Sequence, residues 1–249
     1  MSDKFYLIDV GSANQRFSDA LNLIKNKYIY SFEPDKRSAH GFNVSNDGVN
    51  YPFALAKSNG ERNLYLTRKP ECSSLFKPNR KYVDLFPNKS RWDIVDVVIV
   101  SCRTLNSFSD QIEEADYIAI DVQGAEYEIL ESGDVILNKY LGVEVEVEFV
   151  EIYESQPLFG DILNLMRRQG FEFYDFITQY RYGRKELNKT GQLAFADALF
   201  LRTPEYVFDK YINGTWGIDK LIKYKTIVLA HNKADLAFVL DEYLAGLEK

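Results

Sequence analysis

The chain has 249 residues, 46% of them apolar, which is enough for one large domain or a domain with a small appendage. Its net charge of −7 excludes a broadly basic face of the kind that grips nucleic acid or an anionic membrane, leaving room only for a local basic patch. Met1 leads almost at once into FYLIDVG, too short for a signal-peptide core or a membrane span, and Cys72 and Cys102 sit in no metal-type spacing; a soluble, reduced, cytoplasmic protein is expected, with a disulfide left open.

Phe5–Asp9 is a short apolar run that reads as the first strand, and Phe17, Ala20, Leu21 and Ile24 follow at helical spacing. Tyr28–Phe32 is the second strand, a polar segment runs from Pro34 to Asn46, and Tyr51–Ala56 (YPFALA) is the third strand. Asn59-Gly60 signals a hairpin leading into NLYLT. From Arg68 to Asp93 there is little periodicity and there are three prolines, which reads as a lid over a site or as a plain surface excursion. VDVVIVSC is then a strand, TLNSFSDQIEEA a helix, YIAID a strand and AEYEILESG a helix. LGVEVEVEFV is a long strand, Asp161–Gln169 a helix, and FEFYDF and QLAFADALFLR are the last strands. From Thr203 the spacing is helical, through Ile218, Leu221, Ile222 and Lys225 and then Ala234, Ala237, Phe238 and Leu244, predicting a helical hairpin packed on the domain. Alternating strands and helices predict an α/β fold with a mainly parallel sheet, and the two closing strands an antiparallel insertion at its edge.

Open α/β sheets bind ligands at the carboxyl ends of their strands, where strand order reverses. LIDVGSANQRF makes the first such turn: Gly11 permits close backbone approach, and Glu33, 22 residues on, ends the second strand where a carboxylate can accept both hydroxyls of a ribose. The alternative is an ordinary tight turn and a surface glutamate. Ser12, Ala13, Asn14, Gln15 and Arg16 lack the glycines that a pyrophosphate requires, which disfavours NAD and FAD. S-adenosylmethionine has a ribose, an adenine and an amino-acid end but no phosphate. Asp9 is placed to face that cofactor's ammonium group or to orient the turn.

In ADYIAIDVQGAEYEIL the apolar strand stops on Asp121, turns through Gln123 and Gly124, and restarts as a helix. An unpaired acid inside the sheet would cost several kcal/mol, so Asp121 belongs at the mouth of the cleft, with Gln123 and Glu126 projecting toward an acceptor. Asp121 as a helix cap near Ala125 is the alternative. In GVEVEVEFVE, Val143, Val145, Val147 and Phe149 share one face and Glu144, Glu146 and Glu148 the other. Three acids on a strand central to a parallel sheet mark either a partly exposed face or an active-site wall. Carboxylates take hard cations, but no metal is expected here. Tyr153 and Gln156 either frame an acceptor pocket or precede a helix. Ser73 and Ser74 lie in the suspected lid, and Asp197 interrupts an apolar strand, facing the cleft or accepting a structural hydrogen bond. His40 and His231 stand in no catalytic context, His231 as a surface residue. QYRYGRKELNK, with Arg181, Arg184, Lys185 and Lys189 interleaved with Tyr180 and Tyr182, reads as a solvated loop or a contact for phosphate or sugar.

The pieces IDVGSANQRFSDAL, SFEPD, ECSSLFKPN, ADYIAIDVQGAEYEILESG, EVEFVEIYESQPLF and TGQLAFADALFLR, in that order across residues 5–202, resemble an FkbM-type methyltransferase. The resemblance implies an α/β, Rossmann-like, doubly wound, mainly parallel seven-stranded sheet with an antiparallel edge strand at residues 1–202. A C-terminal helical extension at 203–249 lies outside it. It further implies methyl transfer from S-adenosylmethionine to a hydroxyl oxygen on a sugar, glycan or glycosylated product. Asp9, Gly11 and Ser12 match the family's first turn, Glu33 its ribose-binding acid, and Asp121, Gln123, Gly124 and Glu126 its strand–turn–helix signature. With Ala13, Asn14, Ser74 and Val122 these make the expected cofactor set. Asp121 and then Glu146 are the expected catalytic acids; Gln123, Glu126, Glu148, Tyr153, Gln156 and Asp197 are expected to bind the acceptor. Gln15 and Asn106 stand where the family usually has Gly and Asp. The rival readings are a non-catalytic scaffold of the same fold and an NAD-dependent sugar-nucleotide enzyme.

Overall fold

The computed structural model describes residues 4–11, 18–37, 47–112, 114–184 and 191–247. Its first half runs β1 (Phe5–Val10), α1 (Asp19–Leu23), β2 (Lys27–Phe32), β3 (Gly48–Tyr51), β4 (Ala54–Leu55), β5 (Gly60–Thr67), α2 (Arg80–Val83), β6 (Ile94–Arg103) and β7 (Tyr117–Ile120). Its second half runs α3 (Glu126–Glu131), β8 (Gly142–Glu148), α4 (Phe159–Arg168), β9 (Glu172–Tyr182), β10 (Gln192–Leu201), α5 (Pro204–Ile212), α6 (Ile218–Ala230) and α7 (Ala234–Gly246).

A seven-stranded sheet has the order β3-β2-β1-β7-β8-β10-β9. Every pair from β3 to β8 is parallel, while β10 runs antiparallel to both β8 and β9 and is inserted between them. The chain lays its strands outward from β1 to β3, then returns to start again at β7, so the order reverses between β1 and β7. A crevice opens at that point.

Alternation along the strands sorts side chains onto two faces. Ile8, Val10, Ile118, Ile120 and the β8 valines Val143, Val145 and Val147 join one core cluster, together with Ile129 and Leu130 of α3 and Ile162 and Leu165 of α4. Leu7, Tyr117 and Leu199 face the other way, against Val207, Leu221, Tyr224, Ile227 and Leu240 of the last three helices. Each such side chain, buried completely, contributes about 1.5–3 kcal/mol. The tail is therefore three helices, α5 to α7, rather than a hairpin. Its inward residues on α6 are Leu221, Tyr224, Ile227 and Val228, whereas Ile222 and Phe238 are 60% and 64% exposed.

Some elements depart from the expected reading. Tyr51–Ala56 is not one strand: Pro52, which has no N–H to donate, separates β3 of the main sheet from β4. β4 instead joins β5 and β6 in a separate sheet of order β4-β6-β5, so VDVVIVSC lies outside the main sheet. TLNSFSDQIEEA begins as a 3-10 turn at Leu105–Phe108 and not an α-helix. There the Thr104 hydroxyl accepts from the Ser107 N–H, and the Ser107 hydroxyl donates to the Thr104 carbonyl, local bonds that compete with a helix. Leu105, Phe108 and Ile112 are still buried, so the apolar spacing marks a core-facing segment. His231 is buried rather than on the surface; its Nε2 lies 3.1 Å from the Tyr117 hydroxyl, and burial lowers its pKa to about 4.

The segment from Arg68 to Asp93 is packed down. Cys72, Val83 and Trp92 cluster with Ile152 and Tyr153, and Pro78 bridges to Tyr153. Both cysteines are buried free thiols. Among the described residues no helix is long and apolar enough to cross a membrane.

Candidate functional site

Three strand tips meet at the crevice. Gly11 follows β1 with φ +80, and its N–H donates to the Phe32 carbonyl at 3.0 Å. A Cβ there would lie 1.8 Å from the Asp121 carbonyl oxygen, so only glycine lets β1 and β7 end side by side. Glu33 follows β2; it is buried, and its Oε1 accepts from the Asp35 N–H at 2.7 Å. Asp121 follows β7, exposed at the mouth, its N–H donating to the Val10 carbonyl at 2.9 Å. One cavity is walled by Gly11, Phe32, Glu33, Leu55, Ser74 and Asp121, with Val122 and Gln123 on its rim. A neighbouring cleft of about 270 Å³ shares Val10, Gly11 and Asp121 with it and adds Asp9, Glu144, Glu146 and Asp197.

The turn after β7 is built around Gln123. Its backbone is left-handed, φ +62, and Gly124 follows at φ +110. Gln123 Nε2 donates to Asp121 Oδ1 at 2.7 Å and to Glu146 Oε2 at 2.8 Å, so one amide spans both expected catalytic acids. Its Oε1 accepts from the Tyr153 hydroxyl at 2.9 Å, and its backbone carbonyl accepts from Ser74 Oγ at 2.6 Å. The Glu126 carboxylate folds back onto its own turn, accepting from the Val122 and Gly124 N–H groups at 2.9 Å. Asp121 is thus not the cap of α3; the residue at the cap position, Ala125, makes no side-chain bond, and Glu126 satisfies the turn's free N–H groups.

Burial and mutual repulsion dominate the acids. Burial, with Glu33, Asp121 and Glu144 nearby, raises the Asp9 pKa to about 8. Burial lifts Glu33 to about 7 against the opposing pull of the Asp35 N–H, and lifts Glu144 to about 7 against the Ser18 hydroxyl. Glu146 is pushed well above the usual range by burial and by Asp121, and burial raises Asp197. On that face Glu146 and Glu148 are buried and Glu144 is half-buried.

Of the expected site residues, Asp9, Gly11, Glu33, Ser74, Asp121, Val122, Gln123, Glu146 and Asp197 line these two cavities. Glu126, Glu148, Tyr153 and Gln156 do not; they are buried behind the turn. There the Tyr153 hydroxyl lies 2.9 Å from the Cys72 carbonyl oxygen, and Gln156 Oε1 accepts from the Tyr153 N–H at 2.5 Å. Ser12, Ala13 and Asn14 lie outside the described residues, as do Gln15, Arg16, Phe17, His40, Lys185 and Lys189.

Residues that the sequence reading did not single out also contribute. Asp35 lines the first cavity, and Arg37 clamps it with Nη2 to Oδ2 at 2.7 Å while donating to Ser73 Oγ at 2.9 Å, tying the strand tip to the covering segment. FEPD carried that signal, with its second acid two residues after the first. Phe195 lines the second cleft, stacked on Tyr180 with centroids 4.4 Å apart; it sits two residues before Asp197 on the same face of β10.

A family model described as a methyltransferase FkbM domain matches residues 9–173. No curated protein matches the chain. In solved structures the chain is similar to a methyltransferase FkbM from Methylobacillus flagellatus KT, at 11% identity and TM-score 0.46, covering 81% of this chain and 44% of that one. The chain thus spans less than half the length of that protein. It is also similar to magnesium protoporphyrin IX methyltransferase (ChlM) from Synechocystis PCC 6803 with bound SAM, at 9% identity and TM-score 0.41, covering 80% of this chain and 71% of that one. An rRNA methylase from Streptococcus thermophilus gives 10% identity and TM-score 0.41, covering 81% and 89%.

Proposed function

The chain belongs to the FkbM methyltransferase family, and we propose that it transfers a methyl group to a hydroxyl oxygen on a sugar, glycan or glycosylated natural product. S-adenosylmethionine is the cofactor. The observation that carries this reading is the meeting of Gly11, Glu33 and Asp121, from three adjacent strand tips, on one cavity. The residues fit the cofactor. Phe32 and Leu55 offer apolar walls for a base and Glu33 a carboxylate for ribose hydroxyls, and in the adjoining cleft Asp9 has a buried Oδ2 without a hydrogen-bond partner, suited to an ammonium group.

When bound, the cofactor supplies a methyl carbon already activated by a sulfonium sulfur that keeps the electron pair. The protein's work is then placement and proton handling. The cleft beside the crevice would hold the acceptor with its hydroxyl toward the cofactor, which makes positioning the larger contribution. The acceptor's hydroxyl proton would pass to a carboxylate, Asp121 in the first instance, with Glu146 behind it. Gln123 fixes both acids and Asp197 borders the acceptor, while Glu126, Glu148, Tyr153 and Gln156 hold the wall from behind. A small-molecule or glycan acceptor, not a nucleic acid, is supported by the acid-lined cleft and the net charge of −7. The free thiols support a cytoplasmic setting.

The test is mass spectrometry of a panel of free sugars, nucleotide sugars and glycosides incubated with protein and S-adenosylmethionine, followed by the same assay on Asp121→Asn. We expect one acceptor class to gain a methyl group, and Asp121→Asn to lower turnover by about 10²–10⁴-fold with folding intact. Full activity in that variant removes Asp121 from proton transfer. Failure to bind the cofactor at millimolar concentration makes the chain a scaffold of this fold.

A further inference from the structure

β6 carries more apolar surface than its place in the fold uses. An antiparallel pair open to water on one side alternates apolar inward and polar outward along each strand. β5 does so: Leu64 and Leu66 are buried, while Glu61 and Asn63 are exposed. β6 does not. Val98, Val100 and Cys102 turn inward to the cluster around Leu64 and Leu66. The outward positions between them hold Val95, Val97 and Ile99, exposed at 53%, 45% and 70%. The register sets Tyr65 of β5 beside Val97 on that outer face. Among the described residues β6 pairs along its length with β5, and with β4 only at Cys102 and Arg103, so the stripe stays open.

The edge and the face of this small sheet are treated differently. The Val97 N–H donates to Asp96 Oδ1 at 2.8 Å, so a carboxylate occupies the unpaired edge of β6, a device that resists strand addition. The face has no such guard, since its outward positions from Val95 to Ile99 are all β-branched and apolar. A sheet protected at its edge and apolar on its outer face is suited to packing face to face.

The size fits a second sheet of the same kind. The 10 residues of β6, at about 3.4 Å rise and across two strands about 4.8 Å apart, give a flat face of about 300 Å². Two such faces, with the side chains that rim them, bury on the order of 1,000 Å², the lower bound for a specific interface. The rim is self-complementary in charge. Exposed Glu61 lies at the start of β5 and exposed Arg68 just past its end, so stacking two sheets with their strands antiparallel brings Glu61 of each copy toward the partner's Arg68.

We propose that the outer face of β6 is a two-fold interface with a second copy of this chain, in which Val95, Val97 and Ile99 pack on the same three residues of the partner. Its modest area makes the dimer reversible. The proposal is independent of the acceptor and of the methyl-transfer reading.

Sedimentation velocity of the full chain, from about 1 to 100 μM, reads the assembly directly. The expected result is a monomer–dimer equilibrium with Kd in the micromolar range, weakened about tenfold or more by Ile99→Lys and in the same direction by the milder Val97→Thr. Phe238→Lys, on the exposed apolar surface of α7, should leave the equilibrium as it is. Near-ultraviolet circular dichroism matching the parent chain reports that each variant is folded. A monomer throughout that range, a dimer indifferent to both β6 substitutions, or one weakened as much by Phe238→Lys overturns the proposal.

Discussion

Gln123 keeps a backbone angle that side-chain-bearing residues seldom adopt, and its amide is what that angle sustains. With φ at +62 the residue carries a strain of about 1–2 kcal/mol relative to glycine. In return the side chain reaches Asp121, Glu146 and Tyr153, and the backbone carbonyl takes the Ser74 hydroxyl from the covering segment. Gln123→Gly should therefore separate stability from function. The relieved strain offsets only part of the three lost side-chain bonds, each about 0.5–1.5 kcal/mol, so the melting temperature should fall only modestly. Turnover should fall about tenfold or more, since two mutually repelling acids lose the amide that spaces them. Unchanged kcat would show that the amide is only a structural tie.

At the scale of elements, β8 shows how the site grows from a simple pattern. Its valines face the α3 and α4 side and its glutamates the opposite face of the sheet, which the tail helices cover only in part. Beyond that cover Glu144 and Glu146 meet the cleft. The pattern was legible because alternation is local. Asp121 was legible for the same reason, as a polar stop on an apolar run. The second cleft's aromatic wall was not, because Tyr180 and Phe195 become neighbours only through the antiparallel register of β9 and β10. FEFYDF stops short of the full strand for a related cause: the outer half of β9 is an edge, with Gln179, Tyr180 and Arg181 exposed. Tyr51–Ala56 reads as continuous because apolar side chains flank Pro52 on both sides and hide the change of sheet.

The junction between β10 and α5 shows a further dependence on long-range partners. Arg202 is completely buried, and its guanidinium donates to the carbonyls of Tyr140 at 3.1 Å, Gln169 at 2.5 Å and Leu137 at 2.9 Å. Its charge centre also lies 3.6 Å from the Phe171 ring centroid, and burial lowers its pKa to about 10, still cationic at neutral pH. Arg202→Leu should cost about 3 kcal/mol or more, because it leaves three carbonyls without that donor. Chemical denaturation would measure it. A loss under about 0.5 kcal/mol would mean that other donors replace the guanidinium.

The whole molecule feels the site through pH. Asp9, Glu33 and Glu144 have folded-state pKa values raised to about 8, 7 and 7. Each binds a proton more tightly folded than unfolded, so its contribution to stability is complete below about pH 4 and is lost as pH rises through its folded value. The protein without ligand should therefore lose stability from pH 5 to pH 8 through these groups. His231, held low by burial, works in the opposite direction below its ordinary value. Comparing Glu144→Gln with the parent chain isolates one acid: the variant should match the parent near pH 5 and melt higher near pH 8. A constant difference across that range would mean that Glu144 titrates normally when folded.

The central claim is that the tips of β1, β2 and β7 form one cofactor crevice with Glu33 as its ribose-binding acid. Equilibrium binding of S-adenosylmethionine to the parent chain and to Glu33→Ala tests it most directly. Saturable binding to the parent, weakened about tenfold or more by the substitution, or about 1.4 kcal/mol for a lost charge-assisted bond, is the predicted result. No binding to the parent at millimolar cofactor, or the same affinity in both proteins, would contradict it.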